Sequence, residues 1–83
     1  GGGHEVDFVA VEGIRPTPIN VCYSTKVPVR ETDGLIDFCN EYRKTHASLL
    51  YLGKTHQKEL DGVTVSHVNL EEWLLGKANI LQL

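Results

Sequence analysis

The chain has 83 residues, 41% of them hydrophobic, and a formal net charge of −3, which describes one small domain. A domain this short buries only about 60–65% of its unfolded surface, and no apolar run approaches the ~20 residues that cross a bilayer. The acidic balance argues against tight, nonspecific nucleic-acid binding, which needs clustered Lys and Arg on phosphates.

The opening GGGH has neither the basic start nor the apolar centre of a secretory signal. Residues 1–3 are expected to be a tag or trimmed terminus, with residues 4–83 forming a single domain. Cys22 and Cys39 have no CxxC spacing and no companion His pair. They are expected to be small buried hydrophobes of a cytoplasmic protein rather than a disulfide or a zinc site.

From Glu5 to Val11 the residues alternate, with Val6, Phe8 and Ala10 on one side and Asp7, Val9 and Val11 on the other. This predicts a strand with a single acid among aliphatics. Glu12-Gly13 and the Arg15-Pro16-Thr17-Pro18 segment predict a loop of hairpin length. A second strand follows, with Ile19, Val21 and Tyr23 on one face and Asn20, Cys22 and Ser24 on the other. The short loop makes the two strands antiparallel.

Pro28 ends the extended stretch, and from about Arg30 the positions Leu35, Ile36, Cys39 and Tyr42 recur at helical spacing, with Phe38 widening the stripe. Glu31 and Asp33 fall early, Arg43 and Lys44 late, as suits the helix dipole. Gly34 costs about 1 kcal/mol relative to Ala there. The apolar run Ser48 to Leu52 predicts a strand buried on both faces, reached by a right-handed crossover and therefore parallel to its predecessor. His56 to Asp61 is expected to be a polar connection. Val63, Val65 and Val68 mark a further strand ending at Asn69. Asn69 with Glu72 fits a capping box, so a short helix over Leu70 to Leu75 should close at Gly76 and dock through Trp73, Leu74 and Leu75. The tail KANILQL has no clear assignment.

Asp7, Asn20 and Cys22 then lie on neighbouring strands. A magnesium-dependent nuclease needs oxygen ligands on adjacent strands, so that the ion bridges an attacking water and a phosphate oxygen. Such enzymes usually add a lysine beside the second acid. Asp7 supplies one acid; Asn20 offers only a neutral carbonyl, and Cys22 cannot replace an ammonium. Glu31, at the start of the helix, is the candidate to replace the lost acid, and Lys26 and Arg30 are the candidates for the lost cation or for phosphate contact. The bland alternatives are a strand Asp hydrogen-bonded at the sheet edge and a Glu that compensates the helix dipole. Gly53-Lys54-Thr55 imitates the end of a phosphate loop but lacks the upstream Gly, with Ser48 in its place, and lacks a following long helix; it predicts a solvated turn. His4, His46, His56 and His67 form no HxH or HxxxH pair and are expected to be scattered surface residues.

Taken in order, EVDFVAV, INVCYS, RETDGLIDF, LLYLG and GVTVSHVNLEEWLLG resemble the C-terminal domain attached to a group of prokaryotic, especially archaeal, AAA+ type ATPases. Those domains resemble the PD-(D/E)xK, or restriction-endonuclease-like, superfamily. The resemblance covers about residues 4–76. It implies a truncated version of that core: a small mixed sheet of about four strands flanked by helices, with the superfamily's acid on Asp7 and its acid–x–lysine positions on Asn20 and Cys22. The superfamily's core opens with a helix and a strand ahead of the EVDF strand, and this sequence carries neither. An exposed sheet edge is the expected result, and with it a homodimer or strand exchange. The ATP-binding residues of such ATPases are not in this sequence.

The expected function is a non-catalytic nuclease-like accessory domain beside a parent or partner ATPase, acting in protein contact or weak DNA contact, without a cofactor and without a membrane. One alternative is an active nuclease that holds magnesium with Asp7 and Glu31. The other is a small assembly module with no nucleic-acid role.

Overall fold

The computed structural model describes residues 6–12 and 15–78. They form β1 (Phe8–Glu12), β2 (Arg15–Val21), α1 (Val29–Glu41), β3 (His46–Tyr51), β4 (His56–Leu60), β5 (Val63–Asn69) and α2 (Leu70–Leu74). One sheet joins all the strands in the order β1-β2-β3-β5-β4. β1 and β2 are antiparallel, β2, β3 and β5 are parallel, and β4 is antiparallel to β5. The expected small mixed α/β sheet, with an antiparallel pair followed by a helical crossover to a parallel strand, is what forms. No helix among the described residues is long and apolar enough to cross a membrane.

Two apolar layers hold the sheet. Leu35, Ile36 and Cys39 of α1 pack on Ala47, Leu49, Val63 and Val65, while Val6, Cys22, Val27 and Leu60 border that cluster. On the opposite face Ile19, Leu50 and Val68 are covered by Leu70 and Trp73, with Ala78 of the tail beside them. Both layers exist because β3 and β5 are buried on both sides. Removing a core side chain such as Leu49, which has no exposed surface, typically costs about 2–5 kcal/mol.

Several local expectations change. Arg15–Pro18 is strand rather than loop, in register with β1 through Pro16↔Val11 and Pro18↔Val9. Proline cannot donate to a ladder, but β3 pairs with β2 only from Ile19 onward. Pro16 and Pro18 therefore lie where β2 still has an open side. The expected turn at Gly13 lies outside the described residues, as do the expected tag at 1–3 and the end of the tail from 79 onward.

The polar stretch after Thr55 is β4, a fifth strand at the sheet edge. Four of its five residues are exposed, so solvation of both faces hides it from a hydrophobicity pattern. Its turn is Asp61-Gly62, with φ of 50° and 76°. Left-handed values at both central residues define the tight hairpin turn that suits strand twist.

Helix α1 also ends earlier than its pattern predicts. Tyr42 is the C-cap, Arg43 adopts φ 55°, and the Lys44 N–H donates to the Cys39 carbonyl at 2.7 Å. That is the bond of a Schellman closure. Arg43 and Lys44 thus turn the chain toward β3 instead of filling the last helical turn. Tyr42 leaves the buried stripe and stacks on Phe38 with centroids 4.6 Å apart.

Helix α2 is capped as expected. The Asn69 side chain accepts from the Glu72 N–H at 3.0 Å, and Gly76 closes the turn at φ 74°. Only Leu70 and Trp73, one turn apart, face the sheet. The expected docking of Leu74 and Leu75 is corrected: they are 69% and 61% exposed, because neighbours in a one-turn helix cannot share its buried side.

A glycine at position 43 removes the strain of a left-handed Arg. Arg43→Gly is expected to stabilise the domain by up to about 1 kcal/mol, read as a higher urea midpoint at unchanged slope. A midpoint that falls would show that Arg43 makes a compensating contact.

Candidate functional site

Asn20 has no exposed surface, and its amide joins three segments. Its Oδ1 accepts the Asp7 N–H at 2.7 Å, and its Nδ2 donates to the Glu31 carbonyl at 3.0 Å. Asp7 answers across the same gap: its Oδ2 accepts the Val21 N–H at 2.7 Å. The two side chains extend the β1–β2 ladder past Phe8 by replacing backbone partners. A buried amide must be satisfied in this way, since leaving its partners unpaired costs about 1–3 kcal/mol each.

Strand parity puts Asn20 and Cys22 toward the α1 side, and Asp7 joins them through these bonds. Asp7, Asn20 and Glu31 therefore converge, but the backbone carbonyl of Glu31 is the group that meets Asn20. Cys22 is half-buried. Its N–H donates to the Leu50 carbonyl at 2.8 Å and its Sγ–H to the Lys26 carbonyl at 3.6 Å, which ties the β2–α1 loop to the sheet. Lys26 and Arg30 are exposed, on that loop and on the first turn of α1. The Asn20 carbonyl oxygen is directed at the Asp7 N–H, and Asp7 Oδ2 is engaged by the Val21 N–H. Among the described residues no group of three or more His, Cys, Asp or Glu side chains is arranged to hold a metal.

The cysteines differ in setting, and both are free. Cys39 is buried, which pushes its thiol up to about 11. It stays protonated and donates to the His46 carbonyl at 3.5 Å.

A second polar cluster was not foreseen. The register aligns Asn20, Leu49, His67 and His56 in one row across β2, β3, β5 and β4. His56 and His67 stack, with centroids 4.4 Å apart and planes at 19°. Tyr51 meets the His67 ring edge-on at 5.7 Å. The Tyr51 hydroxyl donates to the Lys54 carbonyl, which also lies 3.0 Å from His56 Nδ1. His56 Nδ1 also lies 3.2 Å from the Tyr51 hydroxyl oxygen. His67 is buried, which lowers its pKa; donation from Nδ1 to the Val65 carbonyl at 3.3 Å opposes the shift, and His56 and Lys58 add to it. Gly53 permits the arrangement, because a Cβ there would lie 2.5 Å from the Tyr51 ring. The sequence signal for the cluster was the Asp61-Gly62 turn: a two-residue hairpin pairs Leu60 with Val63 and so carries His56 opposite His67.

If Asn20 serves the fold, the two polar substitutions should separate. Asn20→Ala is expected to cost about 3 kcal/mol and Asp7→Ala about 1 kcal/mol, because Asn20 is itself buried whereas Asp7 is exposed and its bond to Val21 lies at the surface. Equal costs in denaturant titrations would refute this assignment.

Comparison of the chain with protein-family models, with curated proteins and with solved structures finds no match to any of them.

Proposed function

We propose that the chain is a non-catalytic interaction module: a nuclease-like accessory domain whose Asp7 and Asn20 support the sheet, and whose working surface is the β1 edge. The observation that carries this is the state of that edge. Among the described residues β1 pairs with β2 on one side only, and Val9 and Val11 on its α1-side face are exposed, Val11 by 67%. An unpaired strand with apolar side chains is a template for another strand. The opposite edge, β4, exposes Lys58 and Glu59, the kind of charge that discourages such pairing.

The partner that fits is a second copy of the chain, paired antiparallel through β1. A two-fold pairing about Ala10 sets Val9 of each copy opposite Val11 of the other, so the valines form one apolar strip. A strand of a parent ATPase would dock by the same backbone bonds. Sedimentation velocity at about 100 μM should give a dimer that Val11→Lys and Ala10→Pro both convert to monomer; Kd values in this range correspond to about 5–6 kcal/mol. A monomeric wild-type chain would exclude self-pairing.

The second reading rests on the backbones of Asp7 and Glu31, which meet the same Asn20 amide. In the nuclease alternative their carboxylates would hold a magnesium ion with water, with Lys26 or Arg30 as the cation. Magnesium typically uses one or two carboxylates and keeps several waters. Incubating plasmid with the domain and Mg²⁺ or Mn²⁺ decides this. Nicking that disappears in Asp7→Ala would establish a nuclease; no nicking, or nicking unchanged in that variant, favours the interaction module. DNA contact through Lys26 and Arg30 would appear as oligonucleotide binding that weakens steeply with salt.

A further inference from the structure

β3 and β4 are consecutive in sequence but not neighbours in the sheet: β5 lies between them. The loop 52–55 must therefore cross the carboxyl end of β5. Asn69, the last residue of that strand, holds the loop down. Its N–H donates to Thr55 Oγ1 at 2.9 Å, and its Nδ2 donates to the Gly53 carbonyl at 2.8 Å and lies 3.4 Å from that of Leu52. Immediately beyond the loop, His56 begins β4 and lays its ring on His67. The loop is thus fixed at one end by Asn69 and at the other by two stacked imidazoles and the Tyr51 hydroxyl.

We propose that the stacked His56–His67 pair is an acid-released catch. The stacked rings hold the start of β4 and the 52–55 loop against the end of β5, and proton uptake by the buried His67 ring parts them and frees the loop.

The geometry gives the order of events. His67 Nδ1 is used toward the Val65 carbonyl oxygen, so an added proton goes to its Nε2. A charge on His67, which is only 3% exposed, would lie out of water beneath the His56 ring, 4.4 Å away. The Val65 carbonyl favours that charge, but burial, the largest effect, opposes it, and from β4 His56 and Lys58 oppose it too; β3 brings Tyr51 as a neutral phenol. His67 therefore becomes charged only when the catch opens and water reaches it. Because its closed-state pKa lies below the ordinary histidine value of about 6.5, the closed form is favoured above that pH and loses ground as pH falls through it. Opening also removes the loop contacts of Asn69, which caps α2, so release is passed to the helix that carries the exposed Leu74 and Leu75.

Amide hydrogen exchange of the full chain at pH 7.5 and pH 5.5, corrected for intrinsic rates, tests this. Protection of residues 54–58 and 67–72 is expected to fall several-fold at the lower pH, and by no more than about tenfold, the limit for one imidazole near its ordinary value of about 6.5 once opened, with β1, β2 and β3 unchanged. His67→Phe is expected to abolish the change, and His56→Phe, which keeps a ring in place, to leave most of it, because burial leads the shift at His67. Should His67→Phe fail to fold, an NMR pH titration of the His67 ring decides: a ring that charges by about pH 5.5 with no loss of protection overturns the proposal. Unaltered protection in the wild-type chain or loss spread evenly over every strand would overturn it too.

Discussion

Asn20 is the point on which the arrangement of β1, β2 and α1 depends. A side-chain amide without exposed surface has to find partners inside the protein, and those available are the Asp7 N–H and the Glu31 carbonyl. Satisfying them fixes where β1 begins, how the β2–α1 loop returns, and where the first turn of the helix sits above the sheet. Leu35, Ile36 and Cys39 can then reach Ala47, Leu49, Val63 and Val65. Apolar packing supplies most of the stability of such a layer but is indifferent to small shifts in register; the directional amide bonds are not.

Asn69 plays a comparable part at the other side of the sheet. Placing β5 between two strands that are adjacent in sequence creates a loop that crosses a strand end, where backbone groups would otherwise lose their partners. One asparagine pins that loop with its N–H and Nδ2 and caps α2 with its Oδ1. The stacked imidazoles lie a few residues away, so a short region unites the hairpin, the loop and the helix cap. The edges of the sheet differ accordingly: β4 is charged and tied back at its start, while β1 presents Val9 and Val11.

Legibility followed burial and local chemistry. The helix stripe of Leu35, Ile36 and Cys39, the doubly buried β3, the strand Val63–Asn69 and the Asn69 cap were all readable, because each imposes a periodic or short-range pattern. β4 was not, since an edge strand wet on both faces has no apolar period, although the Asp61-Gly62 turn was a sufficient signal for the hairpin and even for its register. Arg15–Pro18 was misread because two prolines suggest a loop unless it is known that the neighbouring strand starts only at Ile19. The convergence of Asp7, Asn20 and Glu31 was legible in part: alternation put Asp7 and Asn20 near each other, but nothing local shows that Glu31 contributes its carbonyl to Asn20.

Local patterns along the chain specify a small α/β domain, an antiparallel pair followed by a crossover to a parallel strand, and the caps of its short helix. These follow from side-chain periodicity and capping chemistry, which act over a few residues. The position of β5 between β3 and β4, the role of Asn20 as an internal strut, the outward facing of Leu74 and Leu75, and the stacking of two distant histidines emerge with the folded sheet. Each of these depends on contacts between segments far apart in the chain, and such contacts are selected by burial and hydrogen-bond satisfaction of the whole sheet rather than by any one stretch of it.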